Sequence, residues 1–259
     1  DSLVSLGLIL KLITISGLKD GIQISLLTIK RKIMTKYGLC CIHLGLQEQG
    51  FRFQTMTWKR FNELGRERAL KDLAEKYADN LSTVYNCIRD CGIQGWNYRV
   101  SSDIFPLMTH PEANIDFDNL PTIDRINKLF DLASKEAYNS QVRLSCHPDQ
   151  FNVVASQSEK AVNQTIIELN HHAWFMDKLT DPRVTLGTQY PINIHINNST
   201  GTPEDIAKRF KDNFDKLDKS AQKRLAVEVE DKGIWSAKKL IEKFRVFNNI
   251  PVTFDYLHH

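Results

Sequence analysis

Short apolar runs alternate along most of the chain with longer stretches of amphipathic periodicity. Six of these runs are four to eight residues long and are bounded by turn-forming residues, which is typical of strands in a buried sheet. The predicted strands are residues 37–44, 97–100, 141–146, 192–196, 225–229 and 251–254.

The stretches between these strands have the spacing of helices. The longest follows Trp58, where apolar side chains recur at steps of three and four from Leu70 to Ile88. Thr202 to Asp205 is typical of a helix start, because a capping hydroxyl precedes a proline and two acids. Further helices are predicted over 123–134, 158–179 and 236–247.

Strands that alternate with helices in this order predict a parallel sheet with the helices outside it. No glycine-rich phosphate-binding motif follows any predicted strand, so the sequence gives no sign of a nucleotide cofactor. We therefore expect an α/β fold of the TIM-type (β/α) barrel class. Only about six of the eight strands of such a barrel can be counted, so we expect the barrel to be incomplete at the C-terminus.

The first part of the chain differs from the rest. Residues 2–18 are apolar but interrupted by Lys11, and this stretch is too short to predict a membrane span. Because Met34 stands just before the first predicted strand, we expect a barrel domain over 34–259 and an N-terminal extension of uncertain role over 1–33. An organelle-targeting leader is an open alternative for that extension.

Charge and cysteine content change this interpretation little. A net charge of +3 is compatible with a nucleic-acid partner without predicting one. The five cysteines include no CxxC pair, which favours a reducing intracellular compartment.

Candidate chemistry lies at the carboxyl ends of the predicted strands, where the active site of a (β/α) barrel is built. Imidazole and carboxylate side chains occur at or after four successive strands and in one intervening loop. They are His110, His147, His195, Glu228, Asp255 and His258. Such groups are ligands for Zn²⁺ or Mn²⁺, and clustered ions are suited to phosphodiester hydrolysis. His147, His195, Glu228 and Asp255 are the candidate catalytic residues.

Each of these residues has a structural alternative. A lone histidine near a strand is commonly a hydrogen-bonded structural residue, Glu228 could pair with a lysine, and Asp255 could cap a helix. We interpret His43 as a structural residue of the first strand, and His171 and His172 as packing or surface residues of a helix.

Several segments together resemble the UV damage endonuclease family. The most specific are His147-Pro148-Asp149-Gln150-Phe151 and the ending Asp255-Tyr256-Leu257-His258-His259. The matching segments are 98–103 with Pro106 and 109–111, 144–151, 192–195, 225–228 and 254–259.

The resemblance implies a monomeric barrel enzyme that holds two or three divalent ions, Mn²⁺ first and Zn²⁺ or Mg²⁺ as alternatives. It implies that the enzyme nicks damaged double-stranded DNA on the 5′ side of pyrimidine dimers, wherever in the cell DNA is held. It also implies that the six candidate residues from His110 to His258 are metal ligands. Gln150 and Phe151 would probe the DNA duplex at the lesion.

The chain departs from the family pattern at three points. Phe151 stands where the family usually has tyrosine, and Val229 stands where asparagine is common. The ligands that the family's later strands supply cannot be located in this sequence.

Two other functions remain open at this point. A metal-dependent sugar isomerase or epimerase could use a similar barrel, and a non-catalytic protein could bind damaged DNA without cutting it. The basic residues after the first strand could neutralise backbone phosphates or could be a solvated helix face. They are Arg52, Lys59, Arg60, Arg66 and Arg68.

Overall fold

The computed structural model divides the chain into two compact units, Asp1–Lys36 and Tyr37–His259. The residues that it describes are 9–16, 23–30, 36–184, 190–231 and 233–255. In the first unit, β1 (Ile9–Ser16) and β2 (Gln23–Lys30) form an antiparallel pair. The sequence pattern predicts no strand in this part, so the pair is an addition to the expected elements.

The second unit is built on a parallel sheet of six strands. Each strand pairs with the one that follows it in the chain, so the order is β3-β4-β5-β6-β7-β8. The strands are β3 (Gly38–Cys40), β4 (Asn97–Val100), β5 (Leu144–Cys146), β6 (Ile192–Ile194), β7 (Leu225–Glu228) and β8 (Val252–Thr253). Within the described ranges, β3 and β8 are not paired with each other. The expected fold class, an open part of a (β/α) barrel, is confirmed.

Helices connect successive strands. They are α1 (Leu44–Glu48), α2 (Trp58–Leu64), α3 (Arg66–Gln94), α4 (Ile123–Asn139), α5 (Glu159–Lys178), α6 (Pro203–Phe214), α7 (Lys219–Arg224) and α8 (Ala237–Lys239). A π-helical turn at Leu240–Phe244 continues α8, and 3₁₀ turns lie at Ser102–Ile104 and Phe117–Asn119. None of the helices in the described ranges is both long and apolar enough to cross a membrane.

The helix starts follow from local chemistry. The Thr202 hydroxyl accepts a hydrogen bond from the Asp205 amide while the Asp205 carboxylate bonds the Thr202 backbone, which is the capping box that the sequence predicts. Gly65 has a φ of 74° between α2 and α3, a conformation that glycine adopts at little cost. The single helical region expected after Trp58 is therefore two helices.

The first strand is shorter than the predicted 37–44. It ends at Cys40, because Cys41 has a φ of 59° and turns the chain away from the sheet. His43 then caps α1, its Nδ1 accepting from the Leu46 amide at 3.1 Å, and its Nε2 lies 2.8 Å from the Asp90 carboxylate. His43 is thus structural, as interpreted, but the prediction that it lies inside a strand is wrong.

An ion pair between a buried arginine and a partly exposed aspartate joins the amino-terminal side of the sheet to the helices around it. Arg224, directly before β7, is 0% exposed. Its guanidinium donates to the Asp177 carboxylate of α5 at 2.6 and 2.9 Å, to the Thr180 hydroxyl at 3.1 Å and to the Tyr190 carbonyl at 3.2 Å. Because Tyr190 precedes β6, this network ties α5, β6 and β7 together.

We expect Asp177→Ala to lower the free energy of unfolding by about 2 kcal/mol, because it removes the charge-assisted hydrogen bonds to the buried Arg224 guanidinium, while the partial exposure of Asp177 lets water replace some of them. Urea unfolding measures this change. The control is Lys211→Ala, which breaks the exposed pair between Lys211 and Asp215 and should cost less than about 0.5 kcal/mol. Equal losses of unfolding free energy in the two variants would show that the Arg224–Asp177 pair stabilises the fold no more than an exposed pair does.

Candidate metal centre

Three neighbouring parallel strands place chelating side chains at the same edge of the sheet. His147 directly follows β5, His195 directly follows β6, and Glu228 is the last residue of β7. Because β5 pairs with β6 and β6 pairs with β7, their carboxyl ends are adjacent. The chain thus brings together residues that are far apart in sequence.

The three side chains are close enough to share an ion. One ligand atom from each of His147, His195 and Glu228 lies within 4.8 Å of the other two. Nε2 of His147 is 3.7 Å from Oε2 of Glu228, and the two imidazole centroids are 5.1 Å apart. Ligands on a tetrahedral ion at the usual bond lengths lie about 3.3 Å apart. Small side-chain movements would therefore complete the coordination.

A backbone hydrogen bond prepares the His147 imidazole for this role. Nδ1 of His147 lies 2.8 Å from the Pro148 carbonyl oxygen, which can only accept, so Nδ1 carries the proton. Nε2 is then left with a free lone pair on the side that faces Glu228. Burial is the main cause that lowers the pKa of His147, and the nearby charge of Arg99 also lowers it. The ring is therefore held in the neutral form that binds metals.

Glu228 supplies the negative charge of the group. It is only 2% exposed, and a carboxylate so deeply buried is stable only with compensating charge or hydrogen bonds. A divalent ion between the three side chains would be coordinated by this carboxylate and by the Nε2 lone pair of His147. The donor set of two imidazoles and one carboxylate fits Zn²⁺ or Mn²⁺.

The other predicted ligands lie outside this compact group. His110 follows β4 in a loop and stacks on Trp58 with ring centroids 4.5 Å apart. Its Nδ1 is buried without a hydrogen-bond partner in the described part of the chain. Asp255 is not among the three grouped residues, and His258 and His259 lie outside the described residues.

Strand β8 nevertheless brings Asp255 to the same edge of the sheet. The Val229 amide donates to the Thr253 carbonyl at 3.1 Å, which continues the β7–β8 pairing past Glu228. The Thr253 hydroxyl also donates to the buried amide oxygen of Asn193 at 2.9 Å. Asp255 follows two residues later, at the carboxyl end of the strand.

The loop after His147 carries the two residues expected to probe DNA. Phe151 is 81% exposed, which is unusual for a large aromatic side chain, and Gln150 is also exposed. Asn197, in the loop after β6, donates from Nδ2 to the Gln150 carbonyl at 2.7 Å. The backbone N–H of Asn197 donates to the Glu230 carboxylate at 2.6 Å.

Sequence reasoning missed two of these supports. Asn197 has a φ of 48°, and asparagine tolerates this left-handed region better than most residues. The polar run 197–201 after β6 was a signal for such a turn. Trp58 is half-buried and stacks on the ring of His110, and only the tertiary contact reveals this role.

Three of the five basic residues after the first strand make contacts within the protein. The Arg66 guanidinium donates to the Ala113 and Asn114 carbonyls at 2.8 and 2.9 Å, so it holds the loop that follows His110. Arg52 donates to the Gln47 carbonyl, and Arg60 pairs with Glu63 on an exposed helix face. Arg66 is therefore already engaged in structural contacts.

Known proteins are similar to this chain in sequence. The chain is 29% identical over 211 residues to a UV DNA damage endonuclease of Bacillus cereus strain Q1, and 28% identical over 211 residues to one of Bacillus anthracis strain A0248. In both cases the match covers 80% of this chain and 62% of the relative, so the chain spans less than two thirds of their length.

A solved structure and a protein family extend the comparison. The crystal structure of SacUVDE superimposes with a TM-score of 0.71 at 26% identity, covering 87% of this chain and 71% of that one. The sequence profile of the family described as UV-endonuclease UvdE matches residues 35–259, a range that contains every strand of the parallel sheet and the three clustered candidate ligands. The chain therefore belongs to the UV-endonuclease UvdE family.

Proposed function

We propose that this chain carries the catalytic centre of a DNA repair endonuclease, which nicks damaged double-stranded DNA on the 5′ side of pyrimidine dimers. The observation that carries the proposal is the cluster of His147, His195 and Glu228 at the carboxyl edge of the sheet, in a member of the UvdE family. The same edge carries the exposed Phe151, so candidate chemistry and candidate recognition lie together.

In this proposal, Glu228 and the two imidazoles hold a divalent ion, with Mn²⁺ as the first candidate and Zn²⁺ or Mg²⁺ as alternatives. A bound divalent ion supplies activated water and neutralises charge on the phosphodiester. The Pro148 carbonyl keeps Nε2 of His147 unprotonated and oriented towards Glu228. His110, Asp255 and His258 are proposed as further ligands, so that two or three ions would bind in a complete barrel.

We expect Mn²⁺ to stabilise the metal-free protein, because the ion binds the folded centre and not the dispersed ligands of the unfolded chain. At about 100 times the dissociation constant, the ion should add about 2.7 kcal/mol to the free energy of unfolding. Thermal unfolding with and without Mn²⁺ measures the increment, and Zn²⁺ and Mg²⁺ are compared in the same way.

The increment should disappear in His147→Ala and Glu228→Gln. His43→Gln is the matched control, because His43 caps a helix and lies outside the cluster. That variant should lose some stability and keep the whole Mn²⁺ increment. An increment that survives in His147→Ala would remove this histidine from the proposed centre.

Phe151 and Gln150 are proposed to enter the duplex at the lesion. A damaged dinucleotide stacks poorly, so displacing it costs less than displacing normal bases. An exposed aromatic ring can then stack on the neighbouring bases, as apolar wedges do in other DNA complexes. The hydrogen bond from Asn197 to the Gln150 backbone would hold this loop in place.

We expect Phe151→Ala to lower the preference for dimer-containing over undamaged duplex about tenfold, because base–aromatic stacking is lost. Tyr37→Ala is the control, since Tyr37 is 78% exposed and precedes β3 at the opposite end of the strands. Fluorescence anisotropy measures both affinities. Unfolding temperatures of the two variants should match the wild type, and equal preference in all three proteins would refute a probing role.

The activity itself is tested with an end-labelled duplex that carries one cyclobutane pyrimidine dimer. We expect a nick on the 5′ side of the dimer that requires Mn²⁺ and is stopped by a chelator. His147→Ala should slow it by at least about 100-fold, because even loss of residues that support a metal ligand costs ten- to 100-fold.

The assay is run on this chain and on a version extended with the C-terminal part of the Bacillus cereus relative. Cutting by the extended version alone would show that further strands are needed for catalysis. Lesion binding without any cutting would favour a non-catalytic damage-binding protein. A failure to bind or cut would favour the sugar isomerase alternative.

A further inference from the structure

The face of the parallel sheet that carries the candidate metal centre is polar below the centre as well. His195 and Glu228 meet on this face, and Thr253 of β8 pairs with Glu228, so its side chain lies on the same side of the sheet. Side chains alternate along a strand, so Asn193 shares the face of His195, and Asp255 follows Thr253 at the alternate position. We call this side of the sheet the inner face.

Asn193 is an unusual residue for its position. The inner face of a (β/α) barrel is mostly filled by branched apolar side chains, and the opposite face of this sheet is apolar too. Its buried residues include Ile192, Ile194, Leu225 and Val227. Asn193 is only 6% exposed, and a buried amide costs free energy unless it is hydrogen-bonded. A partner for this amide is therefore needed inside the fold.

The partner of Asn193 lies two strands away. The Thr253 hydroxyl donates to Oδ1 of Asn193 at 2.9 Å, although β7 runs between β6 and β8. Next-but-one strands are about 10 Å apart, so both side chains must reach over the strand between them. Ala226 is the residue of β7 that pairs with Asn193, and its small methyl group leaves room for this contact. We call the hydrogen bond the Asn193–Thr253 bridge.

Strand β8 has few other attachments to the sheet. It is two residues long and, within the described ranges, pairs only with β7. The N–H groups of Val227 and Val229 donate to the carbonyls of Pro251 and Thr253 at 2.9 and 3.1 Å. The bridge adds a side-chain attachment at Thr253, two residues before Asp255. The position of the Asp255 carboxylate therefore depends on a short strand that the bridge ties to β6.

We propose that Asn193 and Thr253 are positioning residues of the candidate metal centre. Their hydrogen bond sets the spacing between His195 on β6 and Asp255 on β8, which lie on either side of the strand that carries Glu228. This inference rests on the proposed function, in which Asp255 is a further metal ligand. Asn193 and Thr253 act through those ligands and do not themselves bind the ion. Groups of this kind commonly change metal affinity by ten- to 100-fold when they are removed.

The first test is made on the metal-free protein. Thr253→Val removes the hydroxyl and keeps the shape of the side chain, so β8 should open locally more often. We expect hydrogen exchange of the Val229 N–H to become about tenfold faster, because one buried hydrogen bond is lost. The reference is the Tyr98 N–H, which donates to the Arg143 carbonyl at 3.0 Å between β4 and β5 and should not change. Equal acceleration of both amides, or of neither, would overturn the positioning role.

The second test measures Mn²⁺ affinity by isothermal titration calorimetry. Thr253→Val and Asn193→Leu should each weaken binding about tenfold. The double variant should be no weaker than either single variant within about twofold, because both remove the same hydrogen bond. Thr253→Ser keeps the hydroxyl and should recover most of the affinity. Full additivity, or no recovery by serine, would contradict the bridge.

A matched control applies the same substitution away from the sheet. Thr83 of α3 is 4% exposed, and its hydroxyl donates to the Asp79 carbonyl at 3.0 Å. Thr83→Val therefore also removes a buried hydroxyl, but it should leave Mn²⁺ affinity unchanged. An equal loss of affinity in Thr83→Val and Thr253→Val would show that general stability, and not the bridge, controls binding.

The third test asks whether the bridge acts through Asp255. Asp255→Asn should weaken Mn²⁺ binding by about tenfold or more, because it removes the charge of a proposed ligand. In that background, Thr253→Val should change the affinity by less than about twofold, since there is no ligand left to position. A tenfold effect of Thr253→Val that persists without the Asp255 carboxylate would overturn the proposed route.

The positioning role and the endonuclease proposal fail in different ways. If the wild-type protein binds Mn²⁺ and nicks the dimer-containing duplex while Thr253→Val keeps full Mn²⁺ affinity, only the bridge is refuted. If the wild-type protein binds Mn²⁺ but neither cuts DNA nor prefers the lesion, the endonuclease proposal fails and the affinity cycle still decides the role of the bridge. A wild-type protein that binds no Mn²⁺ would refute the metal centre and the bridge together. Should Asn193→Leu fail to fold, the valine and serine variants of Thr253 are sufficient.

Discussion

Parallel pairing of β5, β6 and β7 is the constraint on which the candidate centre depends. Because neighbouring parallel strands end at one edge of a sheet, the pairing gathers His147, His195 and Glu228 into one group. The Arg224 network acts at the other end of the same strands by tying α5, β6 and β7 together. The position of the candidate ligands is therefore supported by contacts far from them.

Backbone carbonyls set the chemistry of two histidines. Pro148 fixes the proton of His147 on Nδ1, and Glu168 does the same for His172. Each ring then presents a bare Nε2, but the surroundings differ. The first faces a buried carboxylate beside another imidazole, which suits a metal ion, whereas the second lines a cleft with an aromatic wall. The neighbouring groups, and not the residue type, distinguish the two histidines.

The loops at the carboxyl edge combine exposure with firm anchoring. Phe151 is open to solvent, while Asn197 holds the backbone of Gln150 and is itself held by Glu230. Trp58 similarly holds the ring of His110. Such anchoring reduces the conformational freedom that a probing or chelating side chain would lose on binding. The departure at Phe151 leaves this arrangement intact, because stacking needs the ring and not a hydroxyl.

The sequence by itself determined the alternation of strands and helices and therefore the parallel sheet. It also determined the capping box at Thr202 and the strand-end positions of the candidate ligands. All of these depend on local periodicity and short-range hydrogen bonds. It could not determine that Cys41 ends the first strand or that His43 caps a helix, since both depend on a turn to which no regular pattern corresponds. Only the tertiary structure decided that His147, His195 and Glu228 form one group while His172 faces a separate cleft. Distances between residues far apart in the chain are set by strand pairing and core packing, which no local sequence pattern specifies.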